Sequence, residues 1–154
     1  MLLNYNMILQ IIEDQTTLEN LRTFLQKNAL PFHDLKLEGS VYLTYLNDHQ
    51  QLVASGGLEL YGTYALLRSV AVEQAQRGKK LGDQVVRDLI TKAKSLGVIE
   101  VYLLTETAEV FFERRNFSKI NREQVPEAIL NSSEFKTVCP VSAVCMVYKL
   151  TKNN

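Results

Sequence analysis

A cationic loop leading into a helix is the first place in this sequence where chemistry could reside. Arg77-Gly78-Lys79-Lys80-Leu81-Gly82 sets three cations directly before an amphipathic run. Cations at a helix N-terminus oppose the partial positive charge already there. The arrangement makes better sense if an anion sits in the loop, bound by the helix's first free N–H groups, with the lysines adding charge. The plain alternative is a solvated basic turn.

Arg68 is the second candidate. It interrupts the apolar run Ala65-Leu66-Leu67-Arg68-Ser69-Val70-Ala71-Val72, and a charge inside a central strand is costly unless paired. Its partner is either Glu59, across the hairpin at Tyr61-Gly62-Thr63, or the carboxylate of a substrate. Glu59 has a second reading as a general base acting on an incoming ammonium, and Glu106 is a further candidate for that role. Cys139 reads either as a small buried residue or as a thiol at a substrate mouth. Cys145 reads as core. His33 and His49 fall in loop segments and carry no strong signal.

These residues need elements to position them. Residues 7–12 read as a first strand, and 18–28 as a helix with Leu18, Leu21, Phe24 and Leu25 on one face. Residues 29–35 form a loop or short helix. Residues 41–46 and 51–60 read as antiparallel strands, with Gly56-Gly57 suggesting a bulge or a close backbone approach. The strand 64–72 precedes the loop. The spacing Leu81, Val85, Leu89, Ala93 predicts a helix over 80–95, stopped by Gly97. Residues 98–105 read as an apolar strand that a helical crossover makes parallel to 64–72. A helix over 107–115 follows, with Phe111 and Phe112 inward and Asn116 ready for a left-handed C-terminal position. A turn and short helix over 124–130 and a last strand over 142–150 complete the order.

With 154 residues the chain fits one domain over 1–154 with a sizeable core. Its 17 acidic and 17 basic residues balance, so no net field favours nucleic acid or an anionic membrane. The apolar runs are strand-sized, and the N-terminal residues lack a secretory pattern. Two cysteines and two separated histidines give neither a disulfide framework nor a structural zinc pattern. A cytoplasmic location is the expectation, with no metal.

The loop Arg77-Gly78-Lys79-Lys80-Leu81-Gly82 resembles the Arg/Gln-x-x-Gly-x-Gly/Ala loop of the GNAT N-acetyltransferases. That resemblance implies an α+β (α/β) fold. Its mixed central sheet has antiparallel N-terminal strands and a splayed parallel pair, with helices on both faces. It also implies acetyl-CoA as cosubstrate. The backbone of Val70, Ala71 and Val72 would take the pantetheine. Arg77, Gly78, Lys79, Lys80, Leu81, Gly82 and Asp83 would surround the pyrophosphate. Thr105, Ala108 and Phe112 match the family's Asn-x-x-Ala-x-x-x-Tyr. Two departures stand out. The loop's central glycine is Lys80, which keeps its amide and is expected here in ordinary helical angles. The tyrosine that serves the family as general acid is Phe112, which has no proton to donate.

Narrower resemblances exist as well. Leu104-Thr105-Glu106-Thr107-Ala108 with Phe111-Phe112 and Asn116-Phe117 is similar to bacterial N-acetylglutamate synthases. Glu59, residues 66–72, Val125-Pro126, Glu134-Phe135 and Cys139-Pro140-Val141-Ser142-Ala143 are more similar to acetyltransferases of arsenic-resistance clusters. The Arg-Arg-Ser stretch of the glutamate enzymes is absent. Residues 139–142 stand in its place, without a carboxylate-binding arginine.

The expectation is therefore an acetyl-CoA-dependent N-acetyltransferase, a monomer or homodimer. Transfer to the primary amine of a small acceptor, amino-acid-like or arsenical, would be direct. Glu59 and Arg68 are the catalytic candidates, with Arg68 and Cys139 on the substrate side. The alternative is a non-catalytic acyl-CoA-binding or arsenical-binding protein of the same fold, favoured by Phe112.

Overall fold

A computed structural model describes residues 7–78, 80–138 and 141–150, with the side chains of 137 and 138 left aside. Its strands are β1 (Ile8–Ile11), β2 (Ser40–Leu46), β3 (Leu52–Tyr61), β4 (Tyr64–Val72), β5 (Glu100–Thr105), β6 (Ser118–Lys119) and β7 (Val144–Lys149). The helices are α1 (Gln15–Lys27), α2 (Leu81–Ser95), α3 (Glu109–Glu113) and α4 (Glu127–Leu130). Short 3-10 turns at Gln74–Gln76 and Arg122–Gln124 and a π-helical turn at Glu134–Val138 fill the connections. The seven strands form one sheet in the order β1-β2-β3-β4-β5-β7-β6. The pair β4 and β5 is parallel, and the remaining pairs are antiparallel.

Alternation along the strands sends side chains to two faces, and helices cover both. On one face α2 packs Leu81, Val85, Val86, Leu89 and Ala93 against Leu43, Tyr45, Val101 and Leu103. On the other, α1 packs Leu18, Leu21, Phe24 and Leu25 with Leu35 and Tyr42. The same face carries Ile129 and Phe135 against Leu66, Tyr102 and Val147. Helix α1 begins at Asp14, whose carboxylate accepts from the Thr17 amide at 2.9 Å.

Two local details set up the site. The parallel pairing of β4 with β5 involves only Tyr64, Ala65 and Leu66. Beyond Leu66 the strands part, and the β4 edge facing β5 has no strand partner among the described residues. The second detail is a bulge. Ser55 pairs with Ala71 and Gly57 with Arg68, so Ser69 and Val70 together lie opposite Gly56. The glycine pair does mark the bulge, but the extra residue belongs to β4, where Ser69 takes a left-handed φ of 62°. Gly56 serves close approach instead: a Cβ there would come within 2.6 Å of the Val85 and Leu89 side chains.

Helix boundaries also differ from expectation. Helix α2 starts at Leu81, because Lys80 is left-handed. Helix α3 is shorter than 107–115, because the Thr105 hydroxyl accepts from the Ala108 amide at 2.9 Å and ties residues 105–108 into a turn. Asn116 is left-handed as expected, with φ 73°.

Candidate functional site

The parting of β4 from β5 opens a cleft of about 560 Å³ that runs to the N-terminus of α2. Val70, Ala71 and Val72 form one wall, and Ala108, Phe111, Phe112 and Arg115 the other. Gln76, Arg77, Gly78, Lys80, Leu81, Gly82 and Asp83 close the end, with Asn28 and Leu30 at the rim. The structure thus brings together every described residue that the loop resemblance implicates except Thr105. Thr105 lines the adjoining pocket instead. Lys79 lies outside the described residues.

Lys80 corrects the expectation of ordinary helical angles: its φ is 63° and its ψ 17°. The chain must turn sharply between the left-handed Gly78, φ 83°, and the first helical residue. A left-handed L-residue costs about 1–2 kcal/mol, which explains why glycine suits this position in the family's loop. No side chain caps α2. Among the described residues, no acceptor faces the amides of Leu81 or Gly82. A Cβ on Gly82 would come within 3.3 Å of the Phe111 ring, so glycine keeps the loop open where backbone must approach a ligand. An uncapped helix start, a left-handed entry and a cradle that a side chain would fill together fit a pyrophosphate. Asp83 answers Arg115 at 3.2 Å and Arg87 at 3.1 Å, which places its carboxylate toward these cations at the cleft's edge.

Arg77 turns back on the end of β4, its Nε donating to the Val72 carbonyl at 3.0 Å. Arg115 was not anticipated. Its guanidinium lies 3.7 Å from the Phe111 ring centroid, held by the Phe111 carbonyl at 2.8 Å. A cation four residues after an aromatic on a helix was the available signal.

A second pocket of about 370 Å³ meets the cleft at Leu30, Val70, Ala108 and Phe112, which line both. Ala29, Leu30 and Pro31 of the loop after α1 and Glu134 of the π-helical turn enclose it. Leu67, Leu103, Leu104 and Phe112 give apolar walls, and Arg68, Ser69, Glu106 and Thr107 supply polar groups. Phe112 is buried and stacks edge-on against Phe111 and Phe117.

Arg68 has its partners within the protein. Its side chain is 1% exposed. It donates to both oxygens of Asp34, at 2.6 and 2.8 Å, to Glu59 at 2.9 Å and, through Nε, to the Ser69 hydroxyl at 3.2 Å. The other Glu59 oxygen accepts from the Tyr61 hydroxyl at 2.7 Å. Burial acts to lower the Arg68 pKa, but the Asp34 hydrogen bonds and the charges of Glu134, Asp34 and Glu59 prevail and raise it. For Asp34, burial acts to raise the pKa, and the Arg68 hydrogen bonds and charge outweigh it, leaving it below the usual carboxylate value. Sequence reasoning missed Asp34, because its loop is placed by contacts remote in sequence: Arg22 of α1 donates to the carbonyls of Phe32, His33 and Leu35 at 3.0, 3.0 and 2.8 Å.

The remaining candidates divide. Glu106 is exposed and lines the second pocket. His33 is exposed and packs on Phe32, with ring centroids 4.0 Å apart. Cys145 is buried on β7. Cys139 lies outside the described residues. Among the described residues, no group of acidic, histidine or cysteine side chains could hold a metal ion, and no helix is long and apolar enough to cross a membrane.

Comparison with known proteins agrees with this geometry. The sequence model of the acetyltransferase (GNAT) family matches residues 5–117. A GNAT-family acetyltransferase from Staphylococcus aureus superposes with a TM-score of 0.70 at 19% identity, over 94% of this chain and 100% of that one. The N-acetylglutamate synthase of Neisseria gonorrhoeae, complexed with coenzyme A and N-acetyl-glutamate, superposes with a TM-score of 0.73 at 14% identity. That match covers 94% of this chain but 36% of the synthase, so the chain spans about a third of the synthase's length. A Mycobacterium tuberculosis protein in complex with coenzyme A gives a TM-score of 0.69 at 19% identity, over 92% and 99% of the two chains. At these identities the solved structures establish the shared fold.

Proposed function

The chain belongs to the GNAT acetyltransferase family, and on that footing we propose that it transfers an acetyl group from acetyl-CoA to the primary amine of a small molecule. The observation that carries this reading is the continuity of the cleft. An uncapped helix start at one end and a walled pocket at the other meet at Leu30, Val70, Ala108 and Phe112.

When bound, acetyl-CoA supplies the activated acyl group: the amine nitrogen gains the bond to the carbonyl carbon, the carbon–sulfur bond breaks, and the proton shed by nitrogen ends on the thiol. The backbone amides of Leu81 and Gly82, with Lys80 and Arg77 nearby, hold the phosphates. The unpaired edge of β4 at Val70–Val72 holds the extended arm. Phe111 and Phe112 exclude water from the junction, and the loop at Ala29–Pro31 covers the acceptor side.

Glu59 and Arg68 are assigned as positioning residues. Arg68 holds the Ser69 hydroxyl, while the Ser55 hydroxyl donates to the Ser69 carbonyl at 2.8 Å. Together they fix the left-handed bulge beside Val70. With Arg68 engaged in this way, the clamp once open to it for an amino-acid carboxylate loses its support. An arsenical acceptor rests on sequence resemblance and Cys139 alone.

A second reading, acyl-CoA binding without catalysis, is favoured by one observation: the ring at the cleft–pocket junction, Phe112, has no hydroxyl. Calorimetry with acetyl-CoA and a thiol-release assay over a panel of primary amines test both. Binding with amine-dependent release supports the transferase. Binding without release for any amine favours the second reading, and no binding defeats both.

A further inference from the structure

Resting on the reading that the cleft takes acetyl-CoA, we infer that Ser69 is a catalytic residue, whose hydroxyl donates a hydrogen bond to the thioester carbonyl as negative charge builds on its oxygen. Neighbouring residues on a strand face opposite ways, so Ser69 should point away from Arg68. The bulge re-aims it. At a φ of 62° its Oγ comes to 3.2 Å from the Arg68 Nε, and both residues line the second pocket. The next residue, Val70, lines that pocket and the cleft alike. Ser69 thus stands beside the junction at which an acetyl group carried along Val70–Val72 meets an amine from the second pocket.

A serine hydroxyl has one proton and two lone pairs. The Arg68 N–H takes a lone pair, and among the described residues nothing accepts the proton. A cation donating to the oxygen polarises the O–H and strengthens it as a donor in its turn. The guanidinium itself is held by Asp34 and Glu59, so this hydroxyl is the group left to face a ligand. The conformation is also costly. A left-handed φ is uncommon outside glycine, and serine is not among the residues enriched there. It persists because the Ser55 hydroxyl donates to the Ser69 carbonyl at 2.8 Å while Arg68 holds the side chain. Backbone strain held in place from two sides and beside a cleft points to a functional position. Other lining groups suit the task less well. Phe112 has no polar proton, Glu106 is an acceptor when ionised, and the Thr105 hydroxyl is polarised only by the neutral Ala108 amide at 2.9 Å. Ser69 keeps its proton throughout: its hydrogen bond strengthens as charge gathers on the carbonyl oxygen and relaxes when the carbon–sulfur bond breaks.

The test reads the carbonyl directly. Acetyl-CoA isotope-labelled at the thioester carbonyl carbon is bound to the full chain with no amine present, and infrared difference spectroscopy against the unlabelled compound isolates the carbonyl stretch. The band should lie at lower frequency in the parent than in Ser69→Gly and Ser69→Ala. Glycine is at ease at this φ of 62° and alanine keeps the Cβ, so the two variants remove the hydroxyl with opposite effects on the backbone. Calorimetry should give both an acetyl-CoA affinity within a few-fold of the parent. With the primary amine that releases thiol fastest, kcat should fall about 10²–10³-fold in both, the cost of one oxyanion donor. A band that both variants leave at the parent's frequency overturns the inference. So does a shift confined to one variant, which would follow the backbone rather than the hydroxyl. A parent that binds no acetyl-CoA loses the function on which the inference rests, whereas a parent that binds it with the band unmoved in the variants loses the inference alone.

Discussion

Asp34 grips the guanidinium of Arg68 with both carboxylate oxygens from a position 34 residues earlier in the chain. The grip joins the loop after α1 to the bulged centre of β4, and so ties the wall of the second pocket to the strand that borders the cleft. Removing the guanidinium leaves two carboxylates without their cation, so Arg68→Leu should lower stability by about 3–5 kcal/mol. Glu59→Leu leaves Arg68 its two bonds to Asp34 and should cost less. Arg68→Leu combined with Glu59→Leu and Asp34→Leu should recover much of the loss. Thermal melts of the single and combined variants measure this. A small loss for Arg68→Leu, with a large rise in KM for a carboxylate-bearing acceptor, would restore the substrate clamp.

The same pair carries a pH dependence. The folded-state pKa of Asp34 lies below its unfolded value, so its contribution is fully present above the unfolded pKa, about 3.9. It is lost as pH falls through the lower folded value. Melting temperature should therefore drop below about pH 4, and Asp34→Asn should flatten that part of the profile. An unchanged acid limb in Asp34→Asn would show that the titration belongs to other carboxylates.

How far these features were legible follows from the range of the interactions that set them. The buried faces of α1 and α2 were readable because Leu18, Leu21 and Leu25, or Leu81, Val85 and Leu89, repeat with the helix's own period. The Glu59–Arg68 pair was readable because a tight hairpin sets its register. Asp34 was not, since nothing near it in sequence indicates that Arg22 holds its loop over β4. Nor was Ser69, which lies in a run that reads as a straight strand. Its left-handed conformation depends on the Ser55 hydroxyl from the neighbouring strand and the Arg68 guanidinium next to it. Lys80 could have been foreseen: a position filled by glycine in the resembled loop is one where φ > 0 is wanted.

That conformation makes Lys80 a direct test of the loop. Lys80→Gly should melt no lower than the parent, because relief of a left-handed lysine offsets glycine's greater unfolded-state freedom. Lys80→Val, β-branched and poorly suited to φ of 63°, should melt lower than the parent, because β-branching adds to the cost that the left-handed lysine already carries. Calorimetry should show coenzyme A affinity kept within a few-fold in the glycine variant. A strongly stabilised valine variant would mean that the loop relaxes out of the left-handed region.

Gly82 separates ligand binding from folding. A side chain there meets the edge of the Phe111 ring at 3.3 Å, and the ring borders the cleft. Gly82→Leu should displace Phe111 and fill the approach to the Leu81 and Gly82 amides. Acetyl-CoA affinity should fall at least about a hundredfold if two or more charge-assisted hydrogen bonds are lost, with a smaller effect on the melt. Near-parent affinity in Gly82→Leu would place the phosphates elsewhere.

Phe112 decides between the two functional readings. Its ring is 6% exposed, lines both the cleft and the second pocket, and is held edge-on by Phe111 and Phe117. Held in this way, the ring of Phe112→Tyr should keep the parent orientation and add a hydroxyl at its tip. If that tip reaches the junction, the hydroxyl can donate a proton to the departing sulfur, an assistance of about 10²–10⁴-fold in general acid catalysis. The parent should then be slow on amines, and the variant faster in kcat with little change in acetyl-CoA affinity. If the hydroxyl points into the aromatic cluster, it is buried without a partner. The variant should then lose about 1–3 kcal/mol of stability with no gain in rate. Measuring kcat and Tm together distinguishes these cases. A parent that already turns over rapidly, with a rate that Phe112→Tyr does not change, would show that another group or a water molecule supplies the proton. The case for binding without catalysis would then lose its one supporting observation.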